Sequence, residues 1–561
     1  MNNKKLRVLS IVLVFAMLIM TVLTGCGKNT GENGTVSNEA LNPLGSDPIS
    51  KEKVTLEFMM PNNGNVVDYE TNKYTKEIER MGNVDIEFNL LSPVDSGTVI
   101  NLKLSSGKDL PDVINTTLAD DLIATYGSVG VLIPLNKYYE NSSYYLKPQL
   151  EAYEADTGTD LLKYITMSDG NIYGIIRYNE SLQNEVASLL WINNRWLDKA
   201  GMKVPTTLDE LVTTLTYFKN NDMNGNGKND EIAMVDHAAG MMLTILQNAF
   251  VKTGAENVAI ADDGSLTMAY VTDGYKDFLK YANKLYNAGL LDPVTFSQDK
   301  ATFTTLLNGE QTIVGVFAEG STSILTAGSA RREEHHYSPM FLDNPANGYS
   351  TFRYMKTMPT QGMFITKECA YPETAFRIAD YMCSEKMTVW TRWGEEGSDW
   401  LAPSESTVGL YEFMDYPAYL EPVLQWGSKQ NSHWQAQTPA YRRTNISLGM
   451  ASNDKSQESK ALAIKNLHER YSDANWKEGG KLFYEKVADD RVYKLIYTTD
   501  ELAERSDIIN AVDPYVKQMR YEFITGKQNI DSGWNAYIKE LKGMNVDRLI
   551  EINNDAYNRM K

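Results

Sequence analysis

Near the start of its regular part the chain runs Val54-Thr-Leu-Glu-Phe-Met-Met60. A stretch from about Tyr74 to Met81 follows with apolar residues at helical spacing, then Val84-Asp-Ile-Glu-Phe-Asn-Leu90 with every second residue apolar. Strand, helix and strand at this spacing predict a βαβ unit, and with it a largely parallel sheet. Asp112-Val-Ile-Asn115 predicts a further short strand after a Ser-Gly-Lys-Asp-Leu-Pro turn. Downstream, Thr207-Leu-Asp-Glu210 has capping-box spacing, and Leu208, Leu211, Val212, Leu215 and Phe218 then share one helical face. Tyr275, Phe278, Leu279, Ala282 and Leu285 repeat that pattern, with Gly289 placed to end the helix. Pro372 is placed to open another helix, with Phe376, Ala379 and Met382 facing inward. From about residue 455 onward the pattern is mostly helical, and no repeat of fixed period is present.

The amino terminus follows a different pattern. Lys4, Lys5 and Arg7 precede an uncharged apolar run from Val8 to Leu23, which ends in Leu23-Thr-Gly-Cys26. A basic head, a short apolar stretch and small residues before a cut describe a secretory signal, residues 1–25. The run is short for a membrane span. Its ending resembles a bacterial lipobox, which implies cleavage before Cys26 and a lipid on its sulfur. Residues 26–53 are rich in Gly, Asn and Ser and predict a flexible tether to that lipid.

Formal net charge is −19, so nucleic acid and anionic headgroups are excluded as partners and membrane contact is left to the lipid anchor. Besides Cys26 only Cys369 and Cys383 occur, too few for a disulfide framework, and free buried thiols are favoured over one bond between them. His335-His336 beside Glu333-Glu334 lacks the ligand spacing of a zinc site and predicts a hydrated surface loop.

One stretch, Asp222-Met-Asn-Gly-Asn-Gly-Lys-Asn-Asp-Glu231, carries side-chain oxygens at every second position. A phosphate loop is excluded, since Asp222 stands where such a loop needs Gly and Asn229 where it needs Ser or Thr. A calcium loop of the EF-hand type supplies oxygens from positions 1, 3, 5, the carbonyl of 7, and 9, with Gly at 6. Those positions fall on Asp222, Asn224, Asn226, Lys228 and Asp230, with Gly227 at the turn. Position 12, where a bidentate acid belongs, is Ala233, so Glu231 is the substitute candidate. The competing reading is a metal-free Asn/Gly turn; the ligand pattern favours calcium, bound weakly at ~10⁻⁴–10⁻³ M as in extracellular modules.

Six segments, in order, resemble the extracellular solute-binding proteins of bacterial ABC importers, in the long lipoprotein branch of the sugar-binding type. They are Leu104-Ser-Ser-Gly-Lys-Asp-Leu-Pro-Asp-Val-Ile114, Asp169-Gly-Asn-Ile-Tyr-Gly174 and the run from Leu190-Trp-Ile-Asn-Asn to Leu211. Then come Tyr286-Asn-Ala-Gly-Leu-Leu-Asp-Pro293, Trp393-Gly-Glu-Glu-Gly-Ser-Asp-Trp400, and Phe523-Ile-Thr-Gly526 with Trp534-Asn-Ala-Tyr537. After Gly174 the family usually has Pro, whereas Ile175-Ile-Arg177 stand here, which weakens any inference about the hinge.

The resemblance implies an α/β protein of the two-lobed, type II periplasmic-binding-protein-like fold, with discontinuous lobes and a helical C-terminal region. The expected lobes are 54–175 with 362–400, and 176–361 with 401–561. It implies a monomeric receptor that closes on a carbohydrate and hands it to the transmembrane subunits of an ABC permease, with no cofactor required; the structural calcium ion is the expectation of the loop alone.

Sugars present apolar C–H faces and a hydroxyl rim, so aromatic plates beside carboxylates suit them. Tyr178, Trp191, Trp393, Glu396, Trp400 and Trp434 are the candidates for contact with ligand. No GxSxG, no HExxH and no Cys–His pair accompany them, so no catalytic residue is assigned. Glu395-Glu396 point oppositely on an extended segment, unlike a glycosidase pair. Two alternatives stay open: a peptide receptor of the same fold, and a secreted carbohydrate-active enzyme.

Overall fold

The computed structural model describes residues 39–561, apart from 187, 239, 326–335, 354, 438, 454–457 and 472–490. The leader, Cys26, Glu333, Glu334 and His335 therefore lie outside the described residues. Two sheets organise the chain from Glu39 to Lys561. The first contains β1 (Val54–Pro61), β2 (Val84–Leu91), β3 (Val113–Ile114) and β4 (Gly174–Asn179). The second contains β5 (Leu189–Asn193), β6 (Ile232–Val235), β7 (Val314–Glu319) and β8 (Tyr337–Met340). The chain then returns to the first sheet as β9 (Thr360–Ile365) and β10 (Tyr441–Arg442). Their orders are β10-β4-β9-β3-β1-β2 and β8-β5-β7-β6.

The expected βαβ unit is present: β1 and β2 pair in parallel from Val54 opposite Val84, around the helix Lys73–Gly82. Its helix starts at Asn72, whose side chain accepts from the Tyr74 amide, and stops at Asn83 in the left-handed region, where a side-chain amide is tolerated. Thr207 caps the helix Leu208–Lys219 through the Glu210 amide, 3.2 Å away. The Glu210 carboxylate bonds the Thr206 amide instead of completing the box. Gly289 ends the helix Asp273–Asn287 at φ +65°, packed so closely on Lys219 that a Cβ there would lie 2.4 Å from Nζ.

Four apolar cores result. Leu56, Phe58, Ile176 and Met363 fill one face of the first sheet, and Met59, Ile114 and Phe364 the other. Leu190, Ile192 and Met234 pack one face of the second sheet against the helices Asp273–Asn287, Thr499–Thr525, Ile530–Gly543 and Val546–Met560. Trp191, Val235 and Phe317 pack its other face against Trp393, Leu420 and Leu448.

Three expectations change. The residue range 26–53 is not tether throughout, because from Glu39 on the chain is docked. The Glu39 carboxylate accepts from Glu373 and Thr374 amides at 3.0 and 2.8 Å, capping the helix Pro372–Met382, and Ile49 is buried. The first crossing falls after Asn179 rather than at 175/176, since the whole of β4 belongs to the first sheet, and β10 returns Tyr441 and Arg442 to that sheet from within 401–561. His336 is buried and not on a hydrated loop. Both Cys369 and Cys383 are free thiols, as favoured, and burial pushes each thiol up.

Asp380 holds this lobe's helices together. Its carboxylate, 2% exposed as a residue, accepts from Ser143 Oγ at 2.6 Å and from the amides of Tyr144, Tyr145 and Leu146 at 2.8–2.9 Å, the start of the helix Leu146–Thr157. Removing it leaves buried donors without an acceptor. Asp380→Ala is expected to lower stability by about 3 kcal/mol, read as a lower urea midpoint at unchanged slope. Asp380→Asn, which keeps one acceptor, is expected to lose less.

Candidate functional site

The topology brings the strand ends of both sheets to one crossing. β9 is antiparallel to both β3 and β4, so β1 to β4 all run the same way. Their carboxyl ends lie where β4 leaves at Asn179. In the second sheet β5 begins at Leu189, opposite Glu319, the last residue of β7, and β6 runs parallel to β7. The carboxyl ends of both sets of parallel strands therefore border the same crossing, where ligands of open α/β sheets lie. The crossing is tied by polar contacts. Glu180 accepts from Arg443 Nε and the Thr444 amide, both at 3.1 Å, and Glu185 accepts from the Thr357 amide at 2.8 Å.

The first wall is built from strand ends and the segment 430–437. Buried Asn115 donates to the Gln437 carbonyl at 2.9 Å, while its own Oδ1 has no hydrogen-bond partner among the described residues. Gln437 is held by Tyr69 and by the Pro61 carbonyl at 2.6 and 2.9 Å. Gln435 and Ala436 both take positive φ, 53° and 56°, which costs an L-residue about 1 kcal/mol or more each. Buried Gln435 Nε2 has no partner among the described residues. Arg177 donates to the Ala436 carbonyl at 3.1 Å, and Arg392 lies 4.2 Å over the Trp426 ring, itself stacked on His433.

The second wall carries Asp236, His237 and Glu319 at the ends of β6 and β7. His237 Nε2 stands 4.0 Å from Asp236 and 3.9 Å from Glu319. Burial pushes the Asp236 carboxyl up, against the pull of the Met242 amide 2.7 Å away. Amide, carboxylate and imidazole groups at the strand ends of both sheets suit a polyhydroxylated solute, because each hydroxyl both donates and accepts.

The expected contact residues divide. Tyr178, Trp191 and Trp434 are at most 1% exposed and present no ring face to a solute in this structure. Tyr178 bonds Tyr153 through its hydroxyl at 2.9 Å, Trp191 donates to the Glu319 carbonyl at 2.8 Å, and Trp434 donates to Thr75 amid Phe58, Tyr69, Tyr74 and Phe88. Each satisfies its polar atom internally, as buried aromatics do. Trp393 is also buried, with Arg392 and Arg442 on its ring at 5.1 and 5.4 Å. Trp400 is half-buried, donating to the Gly394 carbonyl at 3.0 Å, and Glu396 is exposed. Glu395 pairs with Lys73 at 2.7 Å, so the doublet is not a facing acid pair.

The structure adds Asn115, Arg177, Asp236, His237, Glu319 and Arg442. One signal for them was in the sequence: in Ile176-Arg-Tyr-Asn179, strand alternation turns Arg177 and Asn179 away from the core-facing Ile176 and Tyr178.

The oxygen-rich loop folds around its own acids. Asp222 accepts from the amides of Gly225, Asn226 and Gly227 at 2.7–3.1 Å, which holds its carboxyl below the usual range. Asn224 and Asn226 turn their amide nitrogens onto Asp230 at 2.9 Å, placing N–H groups between carboxylates where a cation would otherwise balance them. Glu231 curls back, Oε1 accepting from the Met223 amide at 2.7 Å, and its Oε2 is buried without a hydrogen bond among the described residues. Ala233 is in β6 and buried. No group of three or more His, Cys, Asp or Glu that could hold a metal ion occurs among the described residues; the donor set here leans on Asn oxygens.

His433, 2% exposed, is held neutral: burial lowers it to about 4, outweighing the attraction of Asp399. In the unfolded chain it titrates near 6.5. Because the folded form binds the proton less well, its contribution is fully present above pH 6.5 and is lost as pH falls toward 4. Wild type is expected to lose up to ~3 kcal/mol more than His433→Gln between pH 7 and pH 4, measured by urea titration at each pH.

Known proteins give the arrangement its context. FusA of Streptococcus pneumoniae serotype 4, a fructooligosaccharide ABC transporter substrate-binding protein, is 24% identical over 96% of each chain. The structure of a FusA EF-hand mutant in complex with fructo-nystose superposes with a TM-score of 0.69 at 21% identity, over 90% of this chain and 99% of that one. An HMO-binding, ABC-transporter-associated solute-binding protein from Bifidobacterium longum infantis gives 0.72 at 19% identity, over the same shares. These solved structures establish the two-lobed fold. Residues 64–389, more than half of the chain, match the sequence profile of one family, and on that match the chain belongs to the bacterial extracellular solute-binding proteins.

Proposed function

We propose that this protein captures an oligosaccharide between its two lobes and delivers it to the permease of an ABC importer. The observation that carries the reading is the crossing bordered by the carboxyl ends of the parallel strands of both sheets, with amides, carboxylates and a histidine at those ends. The relatives that share the architecture along nearly their whole length are carbohydrate receptors by name. In this reading one lobe is built on the β10-β4-β9-β3-β1-β2 sheet and the other on the β8-β5-β7-β6 sheet. Ligand favours closure because it contacts both walls only when they approach. The protein acts as a monomer, with no catalytic step and no required cofactor. Trp400 and Glu396, at the partly open end of the segment 393–400, are the expected contact residues that stay accessible.

Cys26 is the proposed lipid attachment site, which would keep the receptor at the outer face of the membrane. Among the described residues no helix is long and apolar enough to cross a membrane.

Calcium has a proposed place in the Asp222–Glu231 loop. Asp222, Asn224, Asn226, Asp230, the Lys228 carbonyl and Glu231 would hold the ion, whose charge would balance the acids that amide groups now face. The buried, unbonded Glu231 Oε2 supports Glu231 as the substitute for the missing acid at position 12. Held there, the ion would tie the helix Leu208–Lys219 to β6.

Two experiments test these readings. Titration calorimetry with fructooligosaccharides and other defined oligosaccharides is expected to show binding with the glycan recovered intact. Cleaved product would favour the enzyme, and binding of peptides alone would favour the peptide receptor. Adding millimolar calcium is expected to raise the melting temperature of wild type and not of Asp222→Ala, and EDTA to reverse the rise; no response in wild type would remove calcium from the loop.

A further inference from the structure

We propose that Asp120, Lys494 and Leu502 form a latch that holds the two lobes together, with or without solute, at a place separate from the crossing. The inference requires only the two-lobed fold and goes beyond the carbohydrate-receptor reading. On the first lobe the latch stands on the helix Asp120–Ser128, which follows β3 and buries Ile123 and Ala124 in the core that holds Met59 and Ile114. β3 is two strands away from β4 in the first sheet, so this helix is not part of the passage from Asn179 to Leu189.

On the second lobe the latch has an anchored base. Val492, Leu495 and Tyr497 are buried in the core of the second sheet and the C-terminal helices, and the Tyr497 hydroxyl donates to Asn553 at 2.9 Å. Lys494, between these anchors, reaches the Asp120 carboxylate at 3.4 Å. The helix Thr499–Thr525 then opens with a complete capping box of Thr498 and Glu501, and Arg559 donates to Glu501 at 2.8 Å. That fixed first turn presents Leu502, which packs against the core of the second lobe and also against the core of the first that holds Ile114 and Ile123. A further contact joins the lobes where Lys163 Nζ donates to the Met560 carbonyl at 3.3 Å.

These contacts are of a kind that can part. A cavity of about 430 Å³ lies among them, lined by Asp120, Asp121, Lys494, Tyr497, Leu502 and Arg505, among others. A permanently packed core has few voids larger than a water molecule. The ion pair is partly exposed, Asp120 at 42% and Lys494 at 16% of the side chain, so its strength is modest and falls with salt. Arg505, the other cation lining the cavity, pairs with Glu256 and lies 4.8 Å over the Tyr497 ring. Lys494 is thereby the cation that meets the acidic first turn of the helix Asp120–Ser128. An interaction made only while the lobes touch favours that arrangement whatever else is bound.

The test reads the distance between the lobes by pulsed electron spin resonance, with no solute added. The full-length chain carries Cys26→Ser and spin labels at the exposed positions Val94→Cys in the first lobe and Val294→Cys in the second. Lys494→Glu is expected to enlarge a second distance population at least about threefold over this parent. Asp120→Lys with Lys494→Glu, which restores the pair with its charges exchanged, is expected to return the population to that of the parent. Sodium chloride at about 1 M is expected to act oppositely on the two single-charge states. It enlarges the second population in the parent by screening an attraction, and shrinks it in Lys494→Glu by screening repulsion from Asp120 and Asp121. The same distances in the parent and in Lys494→Glu overturn the latch, as does an exchanged pair that stays as open as Lys494→Glu. Because no solute enters the measurement, that failure leaves the receptor reading standing, and a failure of oligosaccharides to bind leaves the latch standing.

Discussion

Between Asn179 and Leu189 the chain leaves one sheet and enters the other, and most of the molecule follows from how that passage is held. Because Leu189 pairs with Glu319, the passage fixes which ends of β6 and β7 look toward the first sheet. The return of β10 alongside β4 adds another strand at the same point, and Glu180 and Glu185 tie neighbouring segments to it through backbone amides. Carboxylates are suited to this work, since each can accept several N–H bonds from different segments and satisfy donors that a loop would otherwise bury.

The same economy explains the distribution of charge. Asp380 and Glu39 are spent on helix starts in the first lobe, and Asp222 on a loop, so acids abundant in the composition are consumed locally. Arg442 is buried elsewhere, on the Trp393 ring beside Arg392, with Asn179 accepting from its Nε. The stacked arginines and the strained pair Gln435–Ala436 occupy the same region, as expected where pre-organisation for a ligand competes with stability.

Much of the scaffold could be read from periodicity. The βαβ unit from Val54, the capped helix after Thr207 and the helix closed by Gly289 are local decisions, made by alternation, capping oxygens and a residue free to take positive φ. The aromatic candidates show where that legibility ends. Tryptophan serves a core and a sugar platform equally well, and Trp191 and Trp434 were drawn into cores by neighbours distant in sequence, Phe317 in one case and Phe58 in the other. The placement of Glu231 was legible as a question only. Its backward curl depends on Met223 and Asn224 amides and on β6 starting at Ile232.

By itself the sequence determined the elements, the acidic surface, the leader with Cys26, and the family resemblance, because each depends on residues near one another along the chain. Tertiary structure alone decided that strand ends some 140 residues apart, at Asn179 and Glu319, border one crossing, that Arg392 and Arg442 meet on the Trp393 ring, and that Arg177 reaches the Ala436 carbonyl. The physical reason is that a charge is defined by its surroundings. An arginine in a sequence is a surface residue by default, and only tertiary packing buries Arg442, against the ring of Trp393.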